Sequence, residues 1–382
     1  MTVPEENTAA QGVHPAAGQA DYSPPERAEG LDSTPTPPQL GKRIVNMRTL
    51  ISFGIALVLL VLAVKGMKID LGKVKTVISH ADMRYFLLAF VVYYISFPAR
   101  GERWRLLMLN ANTGAERERI RRYPLFDLTE ILYLSWFANC VVPAKLGDLY
   151  RSYLARNCLG VSMSKTVGTV IAERMLDLLV LFPLLMLSTV WAFHSRLNNL
   201  PDSIRLALIG GLGLALLAVV AVMVLWRSHG LVNRLLPPRA AHMFTQFRSG
   251  ALHSLRGNVA VPLGLTIFSW LMEGSRLYFV LAALGLLGNN ELGISAAIFL
   301  ALGSSVLTTL PITAGGVGAV ETFLTGTLAV VFLHGVKDAT STAAAVAVLD
   351  RLISYVSLVV IGLIVYLFSK KTRTLAPASA AE

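Results

Sequence analysis

Residues 292–320 read LGISAAIFLALGSSVLTTLPITAGGVGAV, and their reading decides the fold. The run carries no charge, yet it contains Pro311, Gly315, Gly316 and Gly318. Pro removes a backbone donor and Gly adds backbone entropy, so both break helices. Broken backbone inside a hydrocarbon layer survives only where protein or a water-filled cavity satisfies it. The spacing therefore predicts a re-entrant helical hairpin. A second stretch, Phe126–Ala144, is mostly apolar, breaks at Pro143 and then turns basic. It predicts a second hairpin, and Pro143-x-x-x-Gly147 matches Pro311-x-x-x-Gly315 in spacing.

The rest of the chain supplies what such hairpins need. Of 382 residues, 54% are hydrophobic and only 15% charged, where a soluble domain averages about 25% charged. Mean hydropathy is +0.60. These values select an all-α polytopic membrane protein. A bilayer core of about 30 Å takes about 20 apolar residues as helix. Thr49–Val64, Tyr85–Ala99 extended to near Leu109, Leu178–Ser195 with a start near Lys165, Leu206–Trp226, Gly257–Leu287 and Leu352–Ser369 read as about six full transmembrane helices. Residues 1–44 are Pro-, Ala- and Glu-rich, read as a disordered tail with no signal peptide. The membrane domain spans 45–370, and 371–382 is a second tail.

Net charge is +11, unevenly placed. The runs 100–122, 145–165, 227–256 and 370–373 are basic, which puts them on the cytoplasmic side. Both termini are then cytoplasmic. The first hairpin enters from inside and the second from outside. Lys65, Lys68, Lys73, Lys75 and Arg84 disagree, falling between the first two spans on the expected outside; residues 72–80 read as an amphipathic interfacial helix. No folded basic surface suits nucleic acid.

The order of parts repeats, with halves at about 84–195 and 257–369. Each hairpin is followed by a helix with an acid–Arg pair, Glu173-Arg174 and Asp350-Arg351. Each is preceded by a span with an acid and an Arg, Glu102 with Arg103 and Glu273 with Arg276. Inverted repeats with broken helices build transporter sites near the bilayer midplane. Free N–H groups at the breaks suit an anion. An ionisable group at the bilayer centre costs at least about 2.5–3.5 kcal/mol, so it faces a cavity or a partner. The charges admit two readings: structural salt bridges, or a polar path in which Arg holds phosphate bidentately. Arg151 and Arg174 lead that path, then Arg351 and Arg276, with carboxylates balancing charge or carrying protons; Glu173, Asp177 and Glu321 are the acid–base candidates if the chain is an enzyme. Arg103-Trp104-Arg105 sits at an expected membrane–water boundary, where such residues commonly anchor a helix.

Other motifs carry little. Gly316-Val-Gly318-Ala-Val-Glu321 lacks the third Gly and the strand of a dinucleotide loop. Ser162-x-x-Lys165 lacks its companion motifs. Cys140 and Cys158 form no metal or disulfide pattern. No metal, no cofactor and no catalytic set is expected, so the chain reads as a non-enzyme.

Asn139-Cys-Val-Val-Pro143-x-x-x-Gly147-Asp148-x-x-Arg151 followed by Glu173-Arg174-x-x-Asp177 resembles the signature of the lysylphosphatidylglycerol synthase transmembrane, flippase-like family. Pro311-x-x-x-Gly315-Gly316-x-Gly318-x-x-Glu321, then Arg351, resembles that family's Gly-rich segment. Asp148 stands where the family usually has Glu, and Ala314 where it often has Pro. The resemblance implies a flippase-like protein of the bacterial cytoplasmic membrane. Its substrate class would be an aminoacyl-phospholipid, a phospholipid or a polyprenyl-phosphate-linked lipid. It implies no synthase activity, because no soluble aminoacyltransferase domain follows Arg373. Two other classes stay open: a scaffold for a lipid-modifying enzyme or glycosyltransferase, and a membrane enzyme acting on a lipid phosphate. The sequence leaves the oligomeric state open.

Overall fold

The computed structural model describes residues 70–141, 146–193, 237–287, 292–309 and 316–373, with scattered helical positions between 209 and 224. The expected spans Thr49–Val64 and Leu206–Trp226 lie wholly or mostly outside these residues, as do the N-terminal tail, Pro143, Pro311 and Gly315.

The described residues are helical. We number the helices α1 Leu71–Ser79, α2 Met83–Ala111, α3 Gly114–Arg122, α4 Leu125–Val141, α5 Gly147–Leu159, α6 Met163–Ala192, α7 Pro238–Ser254, α8 Ala260–Ala283, α9 Ile294–Thr309, α10 Ala319–Phe332, α11 Ala339–Phe368 and α12 Lys370–Arg373. Their starts follow capping chemistry. Asp70 accepts from the Gly72 and Lys73 amides, Asp82 from that of Arg84, and Ser162 from that of Lys165. Ser162-x-x-Lys165 is thus a helix cap. α5 ends on Gly160 at φ +64°.

α6 and α11 have 30 residues each and are apolar enough to cross a membrane; at 1.5 Å per residue each is roughly 45 Å long. α2 and α8 have comparable length but carry charges that face other helices. Charged residues lie within an otherwise apolar interior, and large apolar side chains also face outward. Arg103, Arg151, Glu173, Arg276 and Asp350 are buried, while Val91, Leu179, Leu187, Val190, Leu363 and Leu367 are exposed. Apolar side chains exposed on one helix after another suit contact with lipid.

The two ends of the bundle are marked by named contacts. At one end Asn110 donates to the Ser254 carbonyl at 3.2 Å, and Lys165 pairs with Glu116 at 2.8 Å. There Lys371 also pairs with Asp127 at 2.7 Å and with Glu130. At the other end the Asp82 amide donates to the Ala283 carbonyl at 2.8 Å, and Lys73 pairs with Asp338 at 2.6 Å. The basic 65–84 segment thus contributes α1 to the end opposite Lys371, and one of its lysines is matched by an acid there.

Both ends of α4–α5 lie at the Lys371 end: α4 starts beside Lys371, and Gly160 abuts the Arg119 guanidinium. Both ends of α9–α10 lie at the other: Phe299 and Phe332 pack on Phe193 at 5.3 and 5.5 Å. The outer ends of the described arms α4 and α5 thus lie at one end of the bundle, and those of α9 and α10 at the other. α4 and α9 each lie tight against the preceding long helix. A Cβ on Gly101 would sit 2.5 Å from Thr129 Oγ1, and one on Gly274 would sit 2.6 Å from Ile298 Cγ1. Small residues give this close backbone approach between apolar helices.

Candidate functional site

Described residues flanking the two Pro-x-x-x-Gly segments meet the middle of α11. Tyr355 donates to the Cys140 carbonyl at 3.2 Å, and Arg351 to the Gly316 carbonyl at 3.3 Å. Residues 351 and 355 are one turn apart, and a π-helical turn, Leu352–Val356, follows Arg351 and contains Tyr355. Such turns recur at functional positions.

The first half holds its break with polar groups from α4. The Asn139 carboxamide accepts from the Gly147 amide at 2.9 Å and donates to Asp148 at 3.4 Å. Only Gly fits at 147, since a Cβ there would lie 2.0 Å from the Ser135 carbonyl. Around this break Arg103 bonds Asp177 and Glu173, each at 2.5 Å, and Thr266 of α8 at 3.1 Å. Arg151 bonds Glu173 at 2.8 Å and stacks on Trp104 with 4.7 Å to the ring centre. Arg174 spans Asp148 at 3.2 Å and Asp177 at 3.5 Å.

The second half repeats this plan. Arg276 bonds Asp350, as Arg103 bonds Glu173. Arg351 pairs with Glu321 at 2.8 Å, as Arg174 pairs with Asp148. Glu321 also accepts from the Gly318 amide at 2.6 Å, which caps α10. Gly318 and Gly316 have φ of +90° and +70°, values that favour Gly. In both halves an Arg of the preceding helix meets an acid of the following helix, whose next residue is an Arg that returns to an acid at the break.

Sequence reasoning placed most of these groups and misread some. Arg103-Trp104 is not a boundary anchor: Arg103 is 1% and Trp104 0% exposed. The apolar face of α2 continues through Leu107 and Met108, so these residues are inside the bundle, and Arg103 is the hub of the first cluster. Arg100 is likewise buried rather than part of a basic loop. Glu102 pairs with its neighbour Arg105 at 2.9 Å and takes no part in the repeat. Asp350 and Arg351, isolated in sequence, are both paired. Of the two leading phosphate candidates, Arg151 is 1% exposed and locked to Glu173, whereas Arg174 is 35% exposed. Arg174 is the accessible cation of the first cluster. Among the described residues no His, Cys, Asp and Glu group has the makings of a metal site.

Comparison with known proteins identifies the family. The model of the lysylphosphatidylglycerol synthase TM region matches residues 49–362. The chain belongs to that family. It is also similar to a UPF0104 membrane protein of Methanocaldococcus jannaschii, 32% identical over 60% of this chain and 93% of the relative. A UPF0104 membrane protein of Pyrococcus horikoshii is 23% identical over 84% of this chain and 97% of the relative. Glycosyltransferase AglD of Haloferax volcanii is 25% identical over 80% of this chain, which spans about half (52%) of that relative. The chain is thus a membrane protein of a lipid-related family.

Proposed function

We propose that this protein is a flippase-like translocator, without enzymatic activity of its own, that moves a phosphate-bearing lipid across the cell membrane. The head group crosses along the seam between the two breaks while the tails stay in lipid. In this reading α4–α5 and α9–α10 are re-entrant hairpins entering from opposite faces of an inverted repeat, with both termini cytoplasmic. The observation that carries it is the pair of breaks held on consecutive turns of α11 inside two like clusters of buried Arg and acid. Buried charges are expensive even when paired, and intramembrane ionisable residues commonly mark a path or a switch. A phosphate oxygen meets Arg174 most readily, since its pairs to Asp148 and Asp177 are long and partly open to solvent.

The test is reconstitution into vesicles carrying a head-group-labelled phospholipid, with transfer between leaflets read by an impermeant quencher. Wild-type protein accelerates transfer, and Arg174→Gln slows it. Equal rates for wild type, Arg174→Gln and protein-free vesicles sink the reading.

The AglD relationship supports a second reading, in which the chain is the membrane partner of a glycosyltransferase acting on a polyprenyl-phosphate-linked lipid. Stable co-purification of such an enzyme, with no lipid transfer by the chain alone, would select it.

A further inference from the structure

One buried cation has no use in either cluster. Arg100 is 4% exposed, and its Nε and Nη2 are buried without a hydrogen-bond partner among the described residues. Its nearest acid, Glu273, stands 4.0 Å away, and Oε2 of Glu273 is itself without a hydrogen bond. By contrast Arg103, Arg151, Arg174, Arg276 and Arg351 each have a carboxylate within 3.2 Å. A buried charged donor left unmade costs more than an ordinary lost hydrogen bond, so such a group calls for an acceptor.

Aromatic rings flank the plane of Arg100, while Nε and Nη2 on its edge are buried without an acceptor among the described residues. Trp136 of α4 lies 4.7 Å and Trp270 of α8 5.9 Å from its guanidinium carbon. Stacking covers a guanidinium's faces, and its N–H groups project from the edge as a fork. The Trp270 indole N–H is buried and unpartnered too. Three donors on two neighbouring side chains thus lack acceptors. Their place is also distinctive. Arg100 and Glu273 hold the same position in the two halves, each followed by the Gly that meets a broken element and then by Arg103 or Arg276. If the halves are an inverted repeat, the axis relating them passes between these two residues, at the repeat interface where such proteins bind their cargo.

We propose that Arg100 and Trp270 form an oxyanion seat for a phosphodiester group. This rests on the translocator reading and narrows its substrate class. The phosphodiester carries one negative charge and accepts from the Arg100 fork and the Trp270 indole. A phosphomonoester carries up to two, and Glu273 beside the seat repels the second. Glu273 has Arg276 Nε at 3.7 Å as an alternative partner once the anion occupies Arg100.

The experiment measures binding to the purified full-length chain by thermal shift and native mass spectrometry. The probes are dioctanoyl phosphatidylglycerol, dioctanoyl phosphatidic acid, dioctanoylglycerol and inorganic phosphate. Wild type should bind the diester more tightly than the monoester, and dioctanoylglycerol least. Trp270→Phe keeps the ring and removes one donor; it should weaken diester binding about tenfold, the worth of one hydrogen bond to a charged group. Arg100→Gln should weaken it further, and Glu273→Gln should narrow the preference for diester over monoester. Inorganic phosphate binding as tightly as the lipid diester would overturn the lipid assignment. Unchanged diester binding in Trp270→Phe, which needs no refolded core, would overturn the seat. If wild type transfers lipid and both Trp270→Phe and Arg100→Gln bind and transfer normally, the seat is wrong while the translocator reading survives. If wild type neither binds nor transfers any phosphate lipid, both fall.

Discussion

Removing Arg276 should destabilise this protein more than removing Arg103, although Arg103 makes more bonds. Arg103 serves Glu173 and Asp177, but each has a second cation: Arg151 at 2.8 Å from Glu173 and Arg174 at 3.5 Å from Asp177. Arg103→Met therefore leaves neither carboxylate alone, and the expected loss is about 1–3 kcal/mol, that of buried bonds unmade. Asp350 is 3% exposed, and its side chain bonds Arg276 alone among the described residues. Arg276→Met strands it, which for a broken buried pair costs about 3–5 kcal/mol. Arg276→Met/Asp350→Leu removes both charges and should recover most of that loss, because a buried pair is often no better than the apolar groups that replace it. The assay is equilibrium unfolding in mixed micelles with a denaturing detergent, followed by helicity. The reasoning fails if Arg103→Met is the more damaging single change, or if the double variant is no more stable than Arg276→Met.

Gly147→Ala forces a Cβ to within 2.0 Å of the Ser135 carbonyl and should cost about 1–3 kcal/mol as overpacking; Gly264→Ala, with open space around it, should leave the same unfolding curve unchanged. Tyr355→Phe releases the Cys140 carbonyl and should cost about 0.5–1.5 kcal/mol, with slower lipid transfer because the first break is no longer held to α11. Lys73→Cys and Lys371→Cys, in a background without Cys140 and Cys158, should label from opposite sides of sealed vesicles with an impermeant thiol reagent. Labelling of both from one side would refute the opposed ends.

The helix ends at Val141 and Thr309 were legible because Pro and Gly inside apolar sequence have few physical explanations. The long helices were legible because hydropathy and length suffice for them. Partnership was harder. Glu102 and Arg103 are adjacent, and adjacency suggested a pair, but neighbouring residues on a helix point different ways. Arg103 faces α6 and Glu102 its own turn. Arg100 was lost for a related reason. A count of positive charge cannot tell an arginine in a loop from one on the inner face of a helix that has not yet ended. The signal lay in the spacing: Arg100, Arg103 and Leu107 recur at three and four residues, as a buried stripe does.

The two clusters share a plan but not a state, and this bears on how transport would proceed. Arg174 and Asp148 are 35% and 21% exposed and 3.2 Å apart; Arg351 and Glu321 are 13% and 17% exposed and 2.8 Å apart. The pair at the first break is the looser and wetter one. If alternating access exchanges the halves, the other state has a tight first break and an open second one. A perturbation confined to the second break should then act at a distance. Glu321→Gln weakens the bond to Arg351 and the cap on Gly318, which stabilise the closed second break. It should shift the population toward the exchanged state, since it costs one state more than the other. With Leu146→Cys as reporter beside the first break, in a background without Cys140 and Cys158 and with Arg174 in place, labelling by a water-soluble reagent should slow when Glu321→Gln is added. With Thr322→Cys near the second break it should quicken. Opposite changes at the two reporters are the signature of exchange. A rise at both would mean only that the bundle has loosened, and would remove the case for reading the two clusters as alternating gates.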